Sequence, residues 1–95
     1  MDKLSDTQRD DALTKLSDWR AKGDAIARTF KFRDFVRAID FVNAVAEMAE
    51  EVNHHPDIDI RYNRVTIALT THDAGGLTRA DIELAAGIDD LADAA

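Results

Sequence analysis

Apolar positions recur along this chain with two different periods, and the switches between them divide it into seven segments. "LSDTQRDDALTKL" has the composition and start signal of a short helix: Ser5 suits an N-cap, and Gln8, three residues on, completes a capping box. "DWRAKGDAIARTFKF" reads as a hairpin, with Gly23-Asp24 as a two-residue turn. Ile26, Phe30 and Phe32 then share one strand face, with Arg28 as the exception on it.

"RDFVRAIDFVNAVAEMAEEVN" is the longest periodic segment. Phe35, Ile39, Val42, Ala46 and Ala49 form one stripe, and Phe41, Val45, Met48 and Val52 an adjacent one. An apolar arc that wide predicts a helix touching both a sheet and another helix, with Pro56 forcing its end. "DIDIRYNRVTIALTTH" alternates, but its parity changes from Ile58, Ile60 and Tyr62 to Val65, Ile67 and Leu69. One regular strand cannot bury both sets on a single face, so a tight hairpin is expected at Asn63, a residue tolerant of left-handed dihedrals. "GGLTRADIELAAGIDDLADAA" predicts a final helix. Thr78 is its N-cap, Asp81 stands at the capping-box position, and Leu77 and Ile82 fit a hydrophobic staple. The order α-β-β-α-β-β-α predicts an α+β fold: one antiparallel sheet with helices packed on one face.

Ninety-five residues make residues 1–95 a single domain, and 45% hydrophobic with 33% charged residues is ordinary for a folded one. Twelve Lys and Arg against 19 Asp and Glu leave a net charge of −7, which argues against direct nucleic-acid binding. Cysteine is absent, which removes disulfides, thiolate metal sites and a thiol nucleophile. No apolar h-region or membrane-length run is present, so a cytoplasmic protein without membrane contact is expected.

Two of the three histidines, His54 and His55, are adjacent, just where the long helix must stop. A hairpin pivoting on Asn63 places position 72 opposite position 54, so His72 is expected to return to their neighbourhood. The helix C-terminus and Glu50, four residues earlier, both favour an imidazolium at His54. Such a cluster suits proton transfer in both directions near neutral pH. Spacing alone leaves other readings open. The histidines can be structural, or three imidazoles with Glu50 can bind zinc, although an adjacent pair without recurring ligand spacing is a poor metal motif. Asp81 is accounted for by its capping position without any chemistry.

At these residues the sequence resembles the pterin-4a-carbinolamine dehydratase family. The family pattern is an acidic residue, three residues, His-His-Pro, five residues, an aromatic, nine residues, His, then Asp. It is met here by Glu50, His54-His55-Pro56, Tyr62, His72 and Asp81. The resemblance continues through "FKFRDFVRAIDFVNAVAEMAEEVNHHP" and "GGLTRADIELA", about three quarters of the chain. It implies a four-stranded antiparallel sheet, homodimers or homotetramers, and dehydration of 4a-hydroxytetrahydropterin to quinonoid dihydropterin with no metal and no cofactor. It further implies that His54 and His72 act as acid and base, that His55 holds substrate or transfers a proton, that Glu50 orients His54, and that Asp81 shapes the pocket. Ile58 stands where many members carry tryptophan, Ala80 where many carry arginine, and Asn53 where aspartate is frequent. Some relatives act as protein-binding factors, so a non-catalytic interaction module is the alternative function.

Overall fold

The first helix carries little of the fold. In the computed structural model, which describes residues 2–95, α1 (Asp6–Lys15) buries none of its own residues. Its start is held locally instead. Gln8 N–H donates to Ser5 Oγ at 3.1 Å, and Ser5 N–H donates to Gln8 Oε1 at 2.8 Å, the expected capping box. Leu16 and Trp19, just after it, are buried and lead the chain into the core.

β1 (Arg20–Lys22) and β2 (Ala25–Lys31) form the expected hairpin, with Gly23 at a φ of 59° that a side chain would disfavour. α2 (Phe35–Val52), β3 (Asp57–Arg61), β4 (Arg64–Leu69), a 3-10 turn (His72–Ala74) and α3 (Arg79–Ala94) follow. The sheet is four-stranded and antiparallel throughout, in the order β1-β2-β4-β3. Ile26, Phe30, Val65, Ile67 and Leu69 line its inner face and meet Ala38, Phe41 and Val45 of α2 and Leu84, Ala85 and Ile88 of α3. Each large aliphatic side chain so buried contributes roughly 1.5–3 kcal/mol. Phe30 and Phe41 pack with centroids 4.9 Å apart, and Trp19 meets Phe30 edge-on at 6.1 Å. The exceptional Arg28 lies 4.2 Å over the Phe30 ring and donates to Asp89 of α3 at 2.6 Å. Trp19 Nε1 donates to the same carboxylate oxygen at 2.8 Å, so one acidic side chain satisfies both polar groups on the inner face.

Three details differ from the sequence reading. First, the buried line of α2 is Ala38, Phe41, Val45 and Ala49, whereas Phe35 is 49% exposed, Val52 is 58% exposed and Ala46 is exposed. Periodicity marks an apolar arc, and the docking angle selects which part of it is covered. Second, α2 is ended by Asn53 rather than by Pro56. Asn53 adopts φ 51° and ψ 44°, and the His54 N–H reaches back to the Ala49 carbonyl at 3.1 Å. Third, the left-handed residue of the β3–β4 turn is Tyr62, at φ 51°, rather than Asn63. Asn63 ties the hairpin to the end of β2: its Nδ2 donates to the Phe32 carbonyl at 2.8 Å, and the Phe32 N–H donates to its carbonyl at 2.9 Å. The turn pairs Arg61 with Arg64, which sets Ile58 opposite Ile67 and Ile60 opposite Val65 and so reconciles the change of parity.

Candidate active site

Asn53 decides where the two adjacent histidines go. Its left-handed turn takes His54 and His55 out of the helix, so the four-residue spacing from Glu50 to His54 no longer places them on one helical face. The two side chains separate. His54 points inward, is 16% exposed, and places Nε2 2.5 Å from Asp81 Oδ1. His55 points outward, is 59% exposed, and places its Nε2 on Glu50 Oε2. The expected pairing of Glu50 with His54 is therefore corrected: Glu50 holds His55, and Asp81 holds His54.

Asp81 is fully buried. Its carboxylate meets three donor groups, one of them the His54 imidazole. The others are the Thr71 hydroxyl, 2.8 Å from Oδ2, and the Thr78 backbone N–H, 2.9 Å from Oδ2. The last is half of the capping box read from the sequence, so Asp81 serves helix and histidine at once. The loop after β4 delivers Thr71. Thr71 and Gly76 exchange backbone hydrogen bonds of 3.0 and 3.3 Å, and Gly75, at φ 78°, closes the bend between them. The Thr71 hydroxyl also lies 2.8 Å from that of Thr78. Among the described residues no buried side-chain nitrogen or oxygen lacks a partner.

Thr71 is the site residue that sequence reasoning missed. A threonine at the end of a β-branched run reads as strand, and nothing local marks it as a partner for a residue ten positions on.

The tautomer of His54 follows from the charge of Asp81: an ionised carboxylate has no hydrogen to donate. A carboxylate that accepts through Oδ2 from Thr71 and Thr78 presents Oδ1 as an acceptor too, so Nε2 carries the hydrogen toward Asp81. In the neutral ring the lone pair is then on Nδ1, which has no hydrogen-bond partner among the described residues.

His54 lines two openings. One, of about 250 Å³, is bounded by Val52, Thr71, Asp73, Ala74 and Ala80. The other, of about 530 Å³, lies between α2 and α3 with Met48, Val52 and Leu84 as its apolar wall and Glu51, Arg79 and Glu83 at its rim. His72 sits exposed in the 3-10 turn. Its sequence neighbours Thr71, Asp73 and Ala74 bound the smaller opening, so the turn reaches the neighbourhood of His54, but the His72 ring makes no hydrogen bond to either histidine. A larger opening of about 690 Å³ lies elsewhere, lined by Phe32, Arg33, Arg37 and Asp93 among others, and contains no histidine. Size favours that opening. Chemistry favours the two at His54, where a titratable ring is held by a buried carboxylate. No three His, Asp or Glu side chains among the described residues converge as metal ligands would.

A family model described as pterin 4 alpha carbinolamine dehydratase matches residues 2–91. A Picosynechococcus protein provisionally named pterin-4-alpha-carbinolamine dehydratase is 51% identical over 89 residues, covering 94% of this chain and 97% of its own. A Chloroflexus aurantiacus protein with the same provisional name is 53% identical over 91 residues, covering 96% and 98%. Among solved structures, a transcriptional coactivator/pterin dehydratase from Brucella melitensis superposes with a TM-score of 0.92 at 36% identity, over 96% of this chain and 99% of that one. A pterin dehydratase-like protein identified as a RuBisCO assembly factor of the alpha-carboxysome superposes with a TM-score of 0.64 at 28% identity, over 78% and 86%.

Proposed function

Since the chain belongs to the pterin 4 alpha carbinolamine dehydratase family, we propose that it converts 4a-hydroxytetrahydropterin to quinonoid dihydropterin and water, in the recycling of a tetrahydropterin cofactor. The observation that carries this reading is the His54–Asp81 pair, a ring with one nitrogen anchored on a buried carboxylate and the other free.

The reaction breaks the C4a–O bond, removes a proton from a ring nitrogen and leaves a C=N bond. In the proposed mechanism His54 Nδ1 takes the nitrogen's proton. The resulting imidazolium is stabilised by Asp81, which needs no movement to do so. His72, protonated, gives its proton to the departing hydroxyl, which leaves as water. Solvent exchange then returns each histidine to its starting state. Positioned acids and bases of this kind contribute roughly 10²–10⁴-fold each. His55, clamped by Glu50 on the outer side of the same loop, holds substrate at the mouth of the site. The enzyme is proposed to use neither metal nor organic cofactor, and to work in the cytoplasm as a homodimer or homotetramer.

The test is direct turnover of 4a-hydroxytetrahydropterin, followed spectrophotometrically, in the wild type and in His54→Ala and His72→Ala. Loss of roughly 10²-fold or more in each supports the assignment. Full turnover in both folded variants sinks it. Absence of turnover in the wild type leaves the second reading, a non-catalytic interaction module, which the likeness to the RuBisCO assembly factor favours.

A further inference from the structure

The charges of this protein are segregated. The 16 residues of β1, β2 and β4 contain five cations and no acidic residue, in a chain that carries 19 acidic residues. Strands disfavour Asp and Glu in general, so the absence of acids alone decides little. Placement decides more. Of the five, only Arg28 lies on the inner face, where Asp89 neutralises it. Arg20 and Lys22 alternate with Ala21, which pairs with the inner-facing Ile26, and Lys31 and Arg64 face each other across the ladder. These four therefore stand on the sheet face that no helix covers, and all four are exposed.

They are also unpaired. None of the four has an acidic group within salt-bridge distance among the described residues, although acids outnumber bases in the chain. At the far edge of the same face, β3 differs: it carries the exposed Asp57 and Asp59, opposite Ala68 and Thr66, and its Arg61 is met by Asp59 at 3.1 Å, so the unpaired cations belong to the β1-β2-β4 strip alone. The ground between the cations is low. Ala27 pairs with Ala68, and Thr29 with Thr66, their hydroxyls 2.8 Å apart. A shallow opening of about 460 Å³ lies there, lined by Arg20, Lys22, Ala27, Thr29 and Thr66, with Asp18 and its ion-pair partner Arg28, 3.6 Å apart, completing it. Small side chains let another chain approach the sheet closely, with cations at both ends of the floor.

We propose that the β1-β2-β4 strip of this open sheet face docks an extended acidic segment of a partner protein. Unpaired cations on a hydroxyl-bearing floor match carboxylates and backbone groups, and charge complementarity sets partner choice and association rate. A single-stranded nucleic acid fits less well, because the strand positions of this face present no aromatic ring for a base to stack on. A duplex, longer than the sheet, would also run its phosphates against the acidic remainder of the surface. The proposal is independent of turnover at His54.

The experiment is fluorescence anisotropy on the full chain at low salt, with a labelled alternating Glu-Ser peptide long enough to cross the sheet. The matching Lys-Ser peptide and an oligothymidylate of equal charge serve as comparisons. The Glu-Ser peptide should bind more tightly than either. Lys31→Glu/Arg64→Glu should weaken it by at least about tenfold, and the neutral Lys31→Gln/Arg64→Gln by less. Circular dichroism melting confirms that each variant is folded, and the neutral pair gives the answer if charge reversal unfolds the sheet. Unchanged peptide affinity in the folded variants would overturn the proposal, as would tighter binding of the oligothymidylate. Salt-sensitive self-association of the wild type, seen by light scattering and abolished by the same substitutions, would also overturn it, by making a second copy the occupant.

Discussion

Replacing Asp81 by asparagine inverts the proposed chemistry while keeping the shape of the site. The amide side chain would have one acceptor oxygen and one NH₂ group in place of two acceptor oxygens. The oxygen is needed where Oδ2 now accepts from the Thr71 hydroxyl and the Thr78 N–H, at 2.8 and 2.9 Å. The NH₂ group then faces His54 Nε2, which must become an acceptor, and in the neutral ring the proton moves to Nδ1. The lone pair proposed to accept the substrate's proton is gone. A lost general base costs roughly 10²–10⁴ in kcat, or about 2.7–5.4 kcal/mol of barrier. Stability should fall much less, by about 1–3 kcal/mol, since charge-assisted bonds become neutral ones and no buried group is orphaned. Asp81→Ala is the poorer experiment, because three donor groups would lose their acceptor in a fully buried position and unfolding would confuse the result. His54→Ala has a milder form of the same fault. It removes one donor from the buried carboxylate, at about 1.5–3 kcal/mol, so its kinetics need a folding control. The assay for Asp81→Asn is steady-state turnover with ¹⁵N NMR of the imidazole to identify the tautomer. Wild-type kcat in a folded Asp81→Asn protein refutes the reasoning, and so does a wild-type His54 that carries its neutral-state proton on Nδ1.

Thr71→Val should lower kcat and shift its pH profile by removing a donor from Asp81, with Thr71→Ser restoring both; kinetics across pH on the two variants check this. His55→Ala should raise KM more than it lowers kcat if the Glu50-held ring chiefly holds substrate, which saturation kinetics separate. Asp89→Ala leaves the Trp19 indole and the Arg28 guanidinium without their shared acceptor and should cost about 2–4 kcal/mol in urea unfolding. Asp34 caps α2, and the hydrogen bond from the Arg37 backbone N–H holds its carboxyl below the usual aspartate value. A depressed folded-state pKa means stability present above the unfolded-state pKa and lost as pH falls through the folded-state one. Asp34→Ala should therefore melt lower than the wild type at neutral pH, and thermal scans should show the gap closing in strong acid.

What the sequence determined by itself was short-range. Two capping boxes, the Gly23-Asp24 turn, the change of parity that demands a hairpin and the apolar arc of α2 all depend on residues within a few positions of one another. The element order and the antiparallel sheet follow from them. The spaced set Glu50, His54, His55, His72 and Asp81 was legible as a list of candidates, of which the fold pairs His54 with Asp81 and His55 with Glu50 and leaves His72 exposed. Their partners were not legible, because pairing depends on direction. A helix continued through position 54 would set His54 over Glu50, whereas the left-handed Asn53 turns the same ring inward to a carboxylate 27 residues away. Tertiary packing likewise decided which part of the α2 arc is covered, placed Thr71 against Asp81, and let Arg28 occupy an apolar face by bringing Asp89 to it. The physical reason is common to all of these. Periods and caps are local preferences worth a kilocalorie or so, written in adjacent residues. The partner of a buried polar group is chosen by whichever distant backbone the packed core brings within three ångströms.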